Sequence, residues 1–176
     1  MDGGNGNDSY YVDTGDDLTF EGLNGGIDTV VANIDGPNSG LYLYANVEDL
    51  LLSGMTTFGV GNQLDNRITG NLGVNLLLGG AGNDTLDGKE NNDVLFGQAG
   101  NDTFVFERGT GGDVIGDFAR GQDRIEIVGI YSSFSQMKTH FVQVGAIGAI
   151  DLGAGDIVVL HGITMSQLTA SDFVLI

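Results

Sequence analysis

Five blocks of nine residues follow one another without interruption from residue 61 to residue 105. They read GNQLDNRIT, GNLGVNLLL, GGAGNDTLD, GKENNDVLF and GQAGNDTFV. The first position of every block is glycine, the sixth is Asn or Asp, and the eighth is a large apolar residue. A strict period of this kind indicates a structure that itself repeats, because every block must meet the same local requirements.

Each block divides into a glycine-rich turn and a short strand. Glycine suits a turn that needs φ > 0 or a close backbone approach. Side chains alternate along a strand, so the eighth residue points to one face. These apolar residues are Ile68, Leu77, Leu86, Leu95 and Phe104. A single inward residue per block cannot form a core alone, so the blocks are predicted to stack as the coils of a solenoid.

If two blocks make one coil, alternate blocks lie on the same side, about 4.8 Å apart. The sixth positions then form two columns, one with Asn66, Asp84 and Asp102 and the other with Asn75 and Asp93. Carboxylates at that separation repel each other unless a cation lies between them. Calcium suits such a gap because it takes about six to eight oxygen ligands. Zinc is disfavoured, since the chain has no cysteine and both histidines lie outside the repeats.

The blocks resemble the G-G-x-G-x-D-x-U-x nonapeptide of the RTX (repeats-in-toxin) family. GGAGNDTLD matches at every defined position, and so does GGNGNDSYY at the N-terminus. The segments NGGIDTVVANI and ANVEDLLLSG between them resemble degenerate repeats. The resemblance implies an all-β fold, a parallel β-roll with a β-rich C-terminal cap, and several bound calcium ions.

The resemblance also implies which residues hold calcium. In RTX rolls one turn offers the carbonyls of positions one and three with its Asp, and the paired turn offers positions two and four with its Asp. The first expected site consists of Gly79, Ala81, Asp84, Gln98, Gly100 and Asp102. The second consists of Gly88, Glu90 and Asp93, with Asp113 and Asp117 from GGDVIGDF, which resembles the closing segment of such arrays. Further expected ligands are Asp8 and Asp17, nine residues apart, and the Asn-bearing turns at Asn66 and Asn75, which are weaker sites.

The C-terminal segments RGQDRIEI, GDIVVLHGI and SDFVLI resemble the cap and export signal of proteins that leave bacteria by type I secretion. This resemblance implies an extracellular protein that meets the type I apparatus during export. We divide the chain into irregular N-terminal coils (1–60), the regular roll (61–105) and the cap with its signal (106–176), all in one continuous domain. The sequence begins inside a repeat, so it is expected to be part of a longer protein.

Composition narrows the function classes. The net charge is −18, and Arg67 and Lys89 are the only basic residues ahead of the cap. Such a field repels nucleic acid and anionic lipid, so neither is expected as a partner. No stretch approaches the roughly 20 apolar residues of a membrane helix, so stable membrane insertion is not expected. Without cysteine there are no disulfides, and bound metal is the expected reinforcement.

Outside the repeats, the sequence predicts short strands and a little helix. The predicted strands are Tyr10–Val12, Ile27–Asn33, Leu41–Tyr44, Val47–Leu52, Arg124–Val128, Thr139–Val144 and Ile157–Leu160. Helical turns are predicted at Phe134–Met137 and at Met165–Ala170, the latter with Thr164 as its N-cap. The remaining acids Asp28, Asp65 and Asp123 are expected on the surface or in turns, and Asp16 and Glu21 as ordinary solvated acids. His140 and His161 are expected to be structural.

The leading functional prediction is a calcium-binding module that drives calcium-dependent folding and type I secretion of a larger extracellular protein. The alternative is an accessory polysaccharide-binding module, similar to the RTX modules of alginate epimerases, or an adhesin segment. Tyr42 and Tyr44 could then stack on a sugar, although covering a half-buried sheet is the more ordinary role. An enzyme is not expected, because the sequence has no nucleophile elbow, HExxH motif or phosphate loop.

Overall fold

The computed structural model describes residues 1–145 and 147–176. The chain forms a parallel β-solenoid with two sheets of eight strands each, numbered here in chain order. The first sheet contains β1 (Ser9–Val12), β2 (Thr29–Ala32), β4 (Asp49–Leu52), β6 (Arg67–Thr69), β8 (Thr85–Asp87), β10 (Thr103–Phe106), β12 (Arg124–Ile127) and β16 (Phe173–Leu175), in that spatial order. The second contains β3 (Gly40–Tyr42), β5 (Phe58–Val60), β7 (Leu76–Ala81), β9 (Val94–Ala99), β11 (Gly112–Ile115), β15 (Asp156–Leu160), β14 (Ile147–Gly153) and β13 (Phe141–Val144).

Alternate nonapeptides stack on one another, as the period predicts. Ile68 pairs in register with Leu86, and Leu86 with Phe104, while Leu77 pairs with Leu95 in the other sheet. All five of these side chains are fully buried between the sheets. Burying a side chain of this size contributes about 1.5–3 kcal/mol. Two blocks therefore make one coil, and each coil adds one apolar layer to a continuous core.

The N-terminal segment continues the same solenoid with longer coils. Ser9 pairs with Thr29 and Thr29 with Asp49, so each of these coils is longer than the coil that brings Asp49 to Arg67. The inward residues Tyr10, Val30 and Leu50 are buried, and Leu50 lies in register with Ile68. The extra residues are therefore accommodated in the turns, and the core stays continuous.

The C-terminal segment closes the stack. The strands β12 and β16 extend the first sheet in parallel, and β11 pairs in parallel with β15. The strands β14 and β13 then turn back antiparallel, so the second sheet ends in hairpins. Phe134, Phe141 and Phe173 pack together with ring centroids 5.6–6.1 Å apart. This aromatic cluster covers the end of the core.

The helical content matches the prediction in one place and differs in another. An α-helical turn occupies Phe134–Met137, as expected. The helix predicted at Met165–Ala170 is wrong: two separate 3₁₀ turns, Met165–Gln167 and Ala170–Asp172, stand there. Thr164 does cap the first turn, but Thr169 is extended and caps the second with Asp172. This second capping box breaks the helix. Within the described residues no helix is long and apolar enough to span a membrane.

Candidate metal centre

The first-position glycines leave room for the acid of their own block. A Cβ on Gly79, Gly88 or Gly97 would collide with the Oδ2 atom of Asp84, Asp93 or Asp102 respectively. Positive φ angles fall instead at the second and fourth positions: Gly80, Gly82 and Gly100, together with Lys89, Asn91 and Gln98. Glycine is needed at position one for space, whereas positions two and four take a positive φ that glycine adopts at the least cost.

The first column is tied together by carboxylates that bind the backbone of the preceding coil. Asp84 Oδ1 accepts the N–H of Asn66 at 2.7 Å, and Asp102 Oδ1 accepts the N–H of Asp84 at 2.9 Å. Asp123 Oδ1 continues the ladder by accepting the N–H of Asp102 at 3.0 Å. One oxygen of each carboxylate is thereby fixed, and the direction of the other follows from it.

The second oxygen of these carboxylates has no partner. Oδ2 of Asp84, Asp93 and Asp102 is buried and accepts no hydrogen bond within residues 1–145 and 147–176. A buried polar group without a partner is costly, and a buried charge is more costly still. The same atom is left unpaired in three equivalent turns, so the requirement belongs to the repeat. A hard cation with oxygen ligands fits it.

The turns that contain these acids lie one above the other. Gly80 is in register with Gln98, and Ala81 with Ala99, so the turn at 79–84 stacks on the turn at 97–102. The expected ligands Gly79, Ala81, Gln98 and Gly100 therefore lie in two adjacent turns with Asp84 and Asp102. Gly88 and Glu90 lie in the turn that leads to Asp93. Metal ligation by these residues stays a prediction.

The structure separates the two acids of the closing segment. Asp113 Oδ1 accepts the N–H of Asp93 at 2.9 Å, and Asp113 is buried, as expected for a partner of Asp93. Asp117 instead accepts the N–H groups of Gly97 and Gln98 at 3.0 and 2.8 Å. It therefore lies over the turn that contains Asp102. Asp113 lies near the start of β11 and Asp117 lies two residues beyond its end, which places the two acids over different turns.

In the Asn-bearing turns the side-chain amides make all their hydrogen bonds to protein groups. Asn66 Nδ2 donates to the carbonyls of Val47 and Glu48 at 3.1 and 3.0 Å, and its Oδ1 accepts the N–H of Asn62. Asn75 Nδ2 donates to the Thr56 carbonyl at 3.2 Å. An amide brings its own donor to this position, whereas a carboxylate has only acceptors.

The first column extends further than the nonapeptides. The N–H of Asp8 donates to Asp28 Oδ1 at 2.8 Å, and the N–H of Asp28 donates to Glu48 Oε2 at 2.9 Å. The sequence predicts Asp28 and Asp123 on the surface or in turns. They do not lie on the surface, because both are buried in this column. Asp65 is exposed, as expected. Every column residue directly precedes a strand of the first sheet, a signal that a search for blocks of nine misses.

Asp17 is not brought to this column. Its Oδ2 accepts the N–H groups of Asp13 and Thr14 at 3.2 and 3.3 Å and so closes its own turn. These two backbone hydrogen bonds lower the pKa of the Asp17 carboxyl. A spacing of nine does not place Asp17 next to Asp8, because one full coil separates Asp8 from its column neighbour, which is Asp28.

Burial changes the titration of the column acids. Loss of solvation raises the pKa of Asp84, Asp93 and Asp113 to about 7, although a backbone hydrogen bond opposes each shift. Burial likewise raises the pKa of Asp102 and Asp123, and the nearby acids add to the effect. Without a cation, Asp84, Asp93 and Asp113 therefore hold protons close to neutral pH.

Comparison with known proteins agrees with the geometry. Residues 60–95 and residues 78–115 each match the family model described as RTX calcium-binding nonapeptide repeat (4 copies). Residues 60–115 of this chain therefore form an RTX β-roll. Its RTX roll is a calcium-binding module with the parallel solenoid that the stacked turns require.

This chain is similar to two proteins that are named as glycanases. It is 38% identical over 174 residues to endo-1,3-1,4-beta-glycanase EglC and 39% identical to endo-1,3-1,4-beta-glycanase ExsH, both of Rhizobium meliloti (strain 1021). The alignments cover 98% of this chain but 34% of each relative, so the chain spans about a third of their length. Among solved structures, extracellular lipase LipA from Serratia marcescens matches with a TM-score of 0.47 and 16% identity, over 99% of this chain and 38% of that one.

Proposed function

We propose that the chain is a calcium-dependent folding module that supports type I export of a larger extracellular protein and is not itself catalytic. The observation that carries the proposal is the unpaired, buried Oδ2 atom of Asp84, Asp93 and Asp102. Three identical acceptors without donors make the folded state costly until a cation joins them.

The turns would divide the calcium ions between the two columns. Asp84 and Asp102 would hold one ion with the carbonyls of Gly79, Ala81, Gln98 and Gly100. Asp93 and Asp113 would hold another with the carbonyls of Gly88 and Glu90. Bound calcium supplies positive charge between the acids, and the glycine-rich turns supply the carbonyl groups. Asp117 would position the turn of Gln98 through its two backbone hydrogen bonds.

The calcium gradient across the cell envelope would time the folding. In a low-calcium cytoplasm the acids repel one another and the chain stays open enough to thread a channel. Outside the cell, calcium binds the folded state, and binding free energy becomes folding free energy. One site contributes about 2.7 kcal/mol at a free calcium concentration of roughly 100 times its Kd.

The C-terminal segment supports this order of events. Phe173–Leu175 forms β16, which pairs with β12, and the carbonyl of Ile176 accepts the N–H of Gly129 at 2.6 Å. The residues that resemble an export signal are thus built into the fold. The apparatus would read them before the last coil closes, and export would then precede folding.

A calcium titration followed by circular dichroism tests the proposal. We expect a coil spectrum in excess chelator and a cooperative change to β-structure with calcium, whereas magnesium at the same concentration is a poor substitute. Magnesium serves as the matched control because it prefers shorter bonds and octahedral geometry. A chain that is fully folded in chelator would overturn the proposal.

A second candidate is an accessory polysaccharide-binding module, favoured by the names of the two relatives. The outer face of the second sheet offers a surface for it, because Tyr42 is 66% exposed and its ring lies edge-on to Phe58 at 5.7 Å. Phe58 continues in register to Leu76 and Val94, which form an apolar strip beside it. Calorimetry with mixed-linkage β-glucan and with alginate, in calcium, tests this candidate. Saturable binding that Tyr42→Ala abolishes would support it, and no binding would exclude both ligands.

A further inference from the structure

Three carboxylates meet at the N-terminal end of the solenoid. One oxygen of each of Asp8, Glu21 and Asp28 lies within 4.8 Å of the others. Asp8 and Asp28 belong to the first column, whereas Glu21 comes from the segment that connects β1 to β2. The roll turns bring two column acids together, so a third carboxylate distinguishes this cluster from them.

The cluster contains buried polar atoms that have no hydrogen-bond partner. They are Oδ2 of Asp8 and Asp28, both side-chain oxygens of Glu21 and the hydroxyl of Tyr10, considered over the described parts of the chain. Asp28 is 0% exposed and Tyr10 is 5% exposed. The other oxygen of Asp28 already accepts the N–H of Asp8, so the direction of the free one is set.

Two glycines keep the space between these atoms open. A Cβ on Gly3 would lie 2.6 Å from both Asp8 Oδ2 and Glu21 Oε1 and would collide with the Tyr10 hydroxyl. A Cβ on Gly25 would lie 2.9 Å from Glu21 Oε2, 3.1 Å from the Gly4 carbonyl and 3.4 Å from Asp28 Oδ2. The atoms around this space are therefore oxygens from three carboxylates, one hydroxyl and one carbonyl.

The negative charge at this position has no basic side chain to balance it from its own part of the sequence. No Lys or Arg precedes Arg67. The carboxylates of Asp8, Glu21 and Asp28 lie close enough to repel one another. Three acids held together against this repulsion, with their free oxygens converging, indicate a positive ligand.

We propose that Asp8, Glu21 and Asp28 hold one divalent cation, calcium, between the first two coils. The donors are all oxygens, which suits a hard cation. Two ligands on one calcium ion can be as much as about 5 Å apart, since each bond is about 2.3–2.6 Å. Three oxygens at the upper limit of 4.8 Å would lie about 2.8 Å from their common centre, so small side-chain shifts bring all three acids to bonding distance of one ion. The smaller magnesium ion would require the acids to move closer together.

The site would anchor the segment that connects β1 to β2. The first sheet begins with β1, but the second begins only with β3, so the first coil has no strand in the second sheet. The segment that contains Glu21 crosses this gap, held by the isolated bridge from Phe20 to Asp2. A cation bound to Glu21 would fix this segment to the column acids. The inference does not depend on export or on the ions of the roll.

Ion counting by native mass spectrometry of the 176-residue chain in calcium tests the site. We expect Glu21→Gln to bind one ion fewer than the unchanged chain. Asp16→Asn is the matched control, because Asp16 is an exposed acid of the same segment, and it should leave the count unchanged. A Glu21→Gln chain that keeps every ion would overturn the proposal, whether or not the roll needs calcium for folding.

Terbium luminescence provides a second test that leaves all three acids in place. Terbium replaces calcium at oxygen sites and emits when a nearby tyrosine is excited. Tyr10→Phe should remove the largest share of this emission, whereas Tyr11→Phe should not, because Tyr11 is 75% exposed on the opposite face of β1. Unchanged emission from Tyr10→Phe would overturn the site even if Glu21→Gln fails to fold.

Discussion

The regular roll and the N-terminal coils belong to one solenoid, but they bring their acidic side chains together in different ways. In the roll, coils made of two nonapeptides bring Asp84 and Asp102 together through glycine turns. In the N-terminal part, longer coils bring Asp8 and Asp28 together, and Glu21 joins them from the connecting segment. Between these regions Asn66 fills its position with an amide. The solenoid thus tolerates a change of coil length, provided that an oxygen side chain precedes each first-sheet strand.

The difference teaches that the side chain at the sixth position decides whether a coil needs a cation. An amide donates to the carbonyls of the preceding coil and completes its turn without help. A carboxylate in the same place keeps one buried oxygen without a donor. Exchanging the two side chains should therefore exchange the requirement.

The largest effect is expected from such an exchange. Asp84→Asn should lose at least one ion and lower the free energy of unfolding in saturating calcium by about 3–5 kcal/mol, because the buried charge of Asp102 is left without its partner.

Asn66→Asp should raise the calcium concentration needed for folding, since its bonds to Val47 and Glu48 are lost at a cost of about 1–3 kcal/mol. Urea unfolding and calcium titration measure the two effects. The control Asp35→Asn changes an exposed acid outside both columns and should do neither. Ion counts that neither exchange alters would contradict the comparison.

A change of pH should alter the stability of the metal-free fold. The folded pKa of Asp84, Asp93 and Asp113 is about 7, above the ordinary value of 3.8. The metal-free fold therefore binds more protons than the unfolded chain between about pH 4 and 7, and it loses this stabilisation as pH rises through 7. In chelator, β-structure should increase on acidification from pH 8 to 5, measured by circular dichroism.

In calcium the same protons act as competitors. The apparent affinity should fall below pH 7 by roughly tenfold per pH unit for each proton that the ion displaces. A calcium midpoint that is equal at pH 7.5 and pH 6 would mean that these acids do not hold the ion.

The smallest effect concerns a turn that departs from glycine. Gln98 has a φ of 70° at the position where Gly80 stands in the preceding coil. Gln98→Gly should raise the free energy of unfolding in calcium by about 1 kcal/mol, because the left-handed conformation is costly for other residues. The control is Gln63→Gly. Gln63 is also exposed, but its φ is not positive. This substitution should therefore destabilise the fold slightly, because glycine increases the freedom of the unfolded chain. Equal changes at the two positions would contradict the explanation.

The sequence by itself determined the roll. The period of nine placed Ile68, Leu86 and Phe104 in one buried row and Asp84 and Asp102 in one column, because short-range patterning of turns and strands repeats in space when it repeats along the chain. The resemblance of GGDVIGDF to the end of RTX arrays indicated the closing segment and placed Asp113 beside Asp93. These features depend on residues within one coil of each other.

Only the tertiary structure decided what happens where the period changes. Coils longer than two nonapeptides carry Asp28 and Asp123 into the column, and β11 separates Asp117 from Asp113. The sequence predicts Glu21 as a solvated acid, whereas the fold brings its carboxylate next to Asp8 and Asp28. Strand pairing fixes which side chains meet between coils, and it depends on hydrogen bonds and core contacts between distant residues, which a local pattern does not contain.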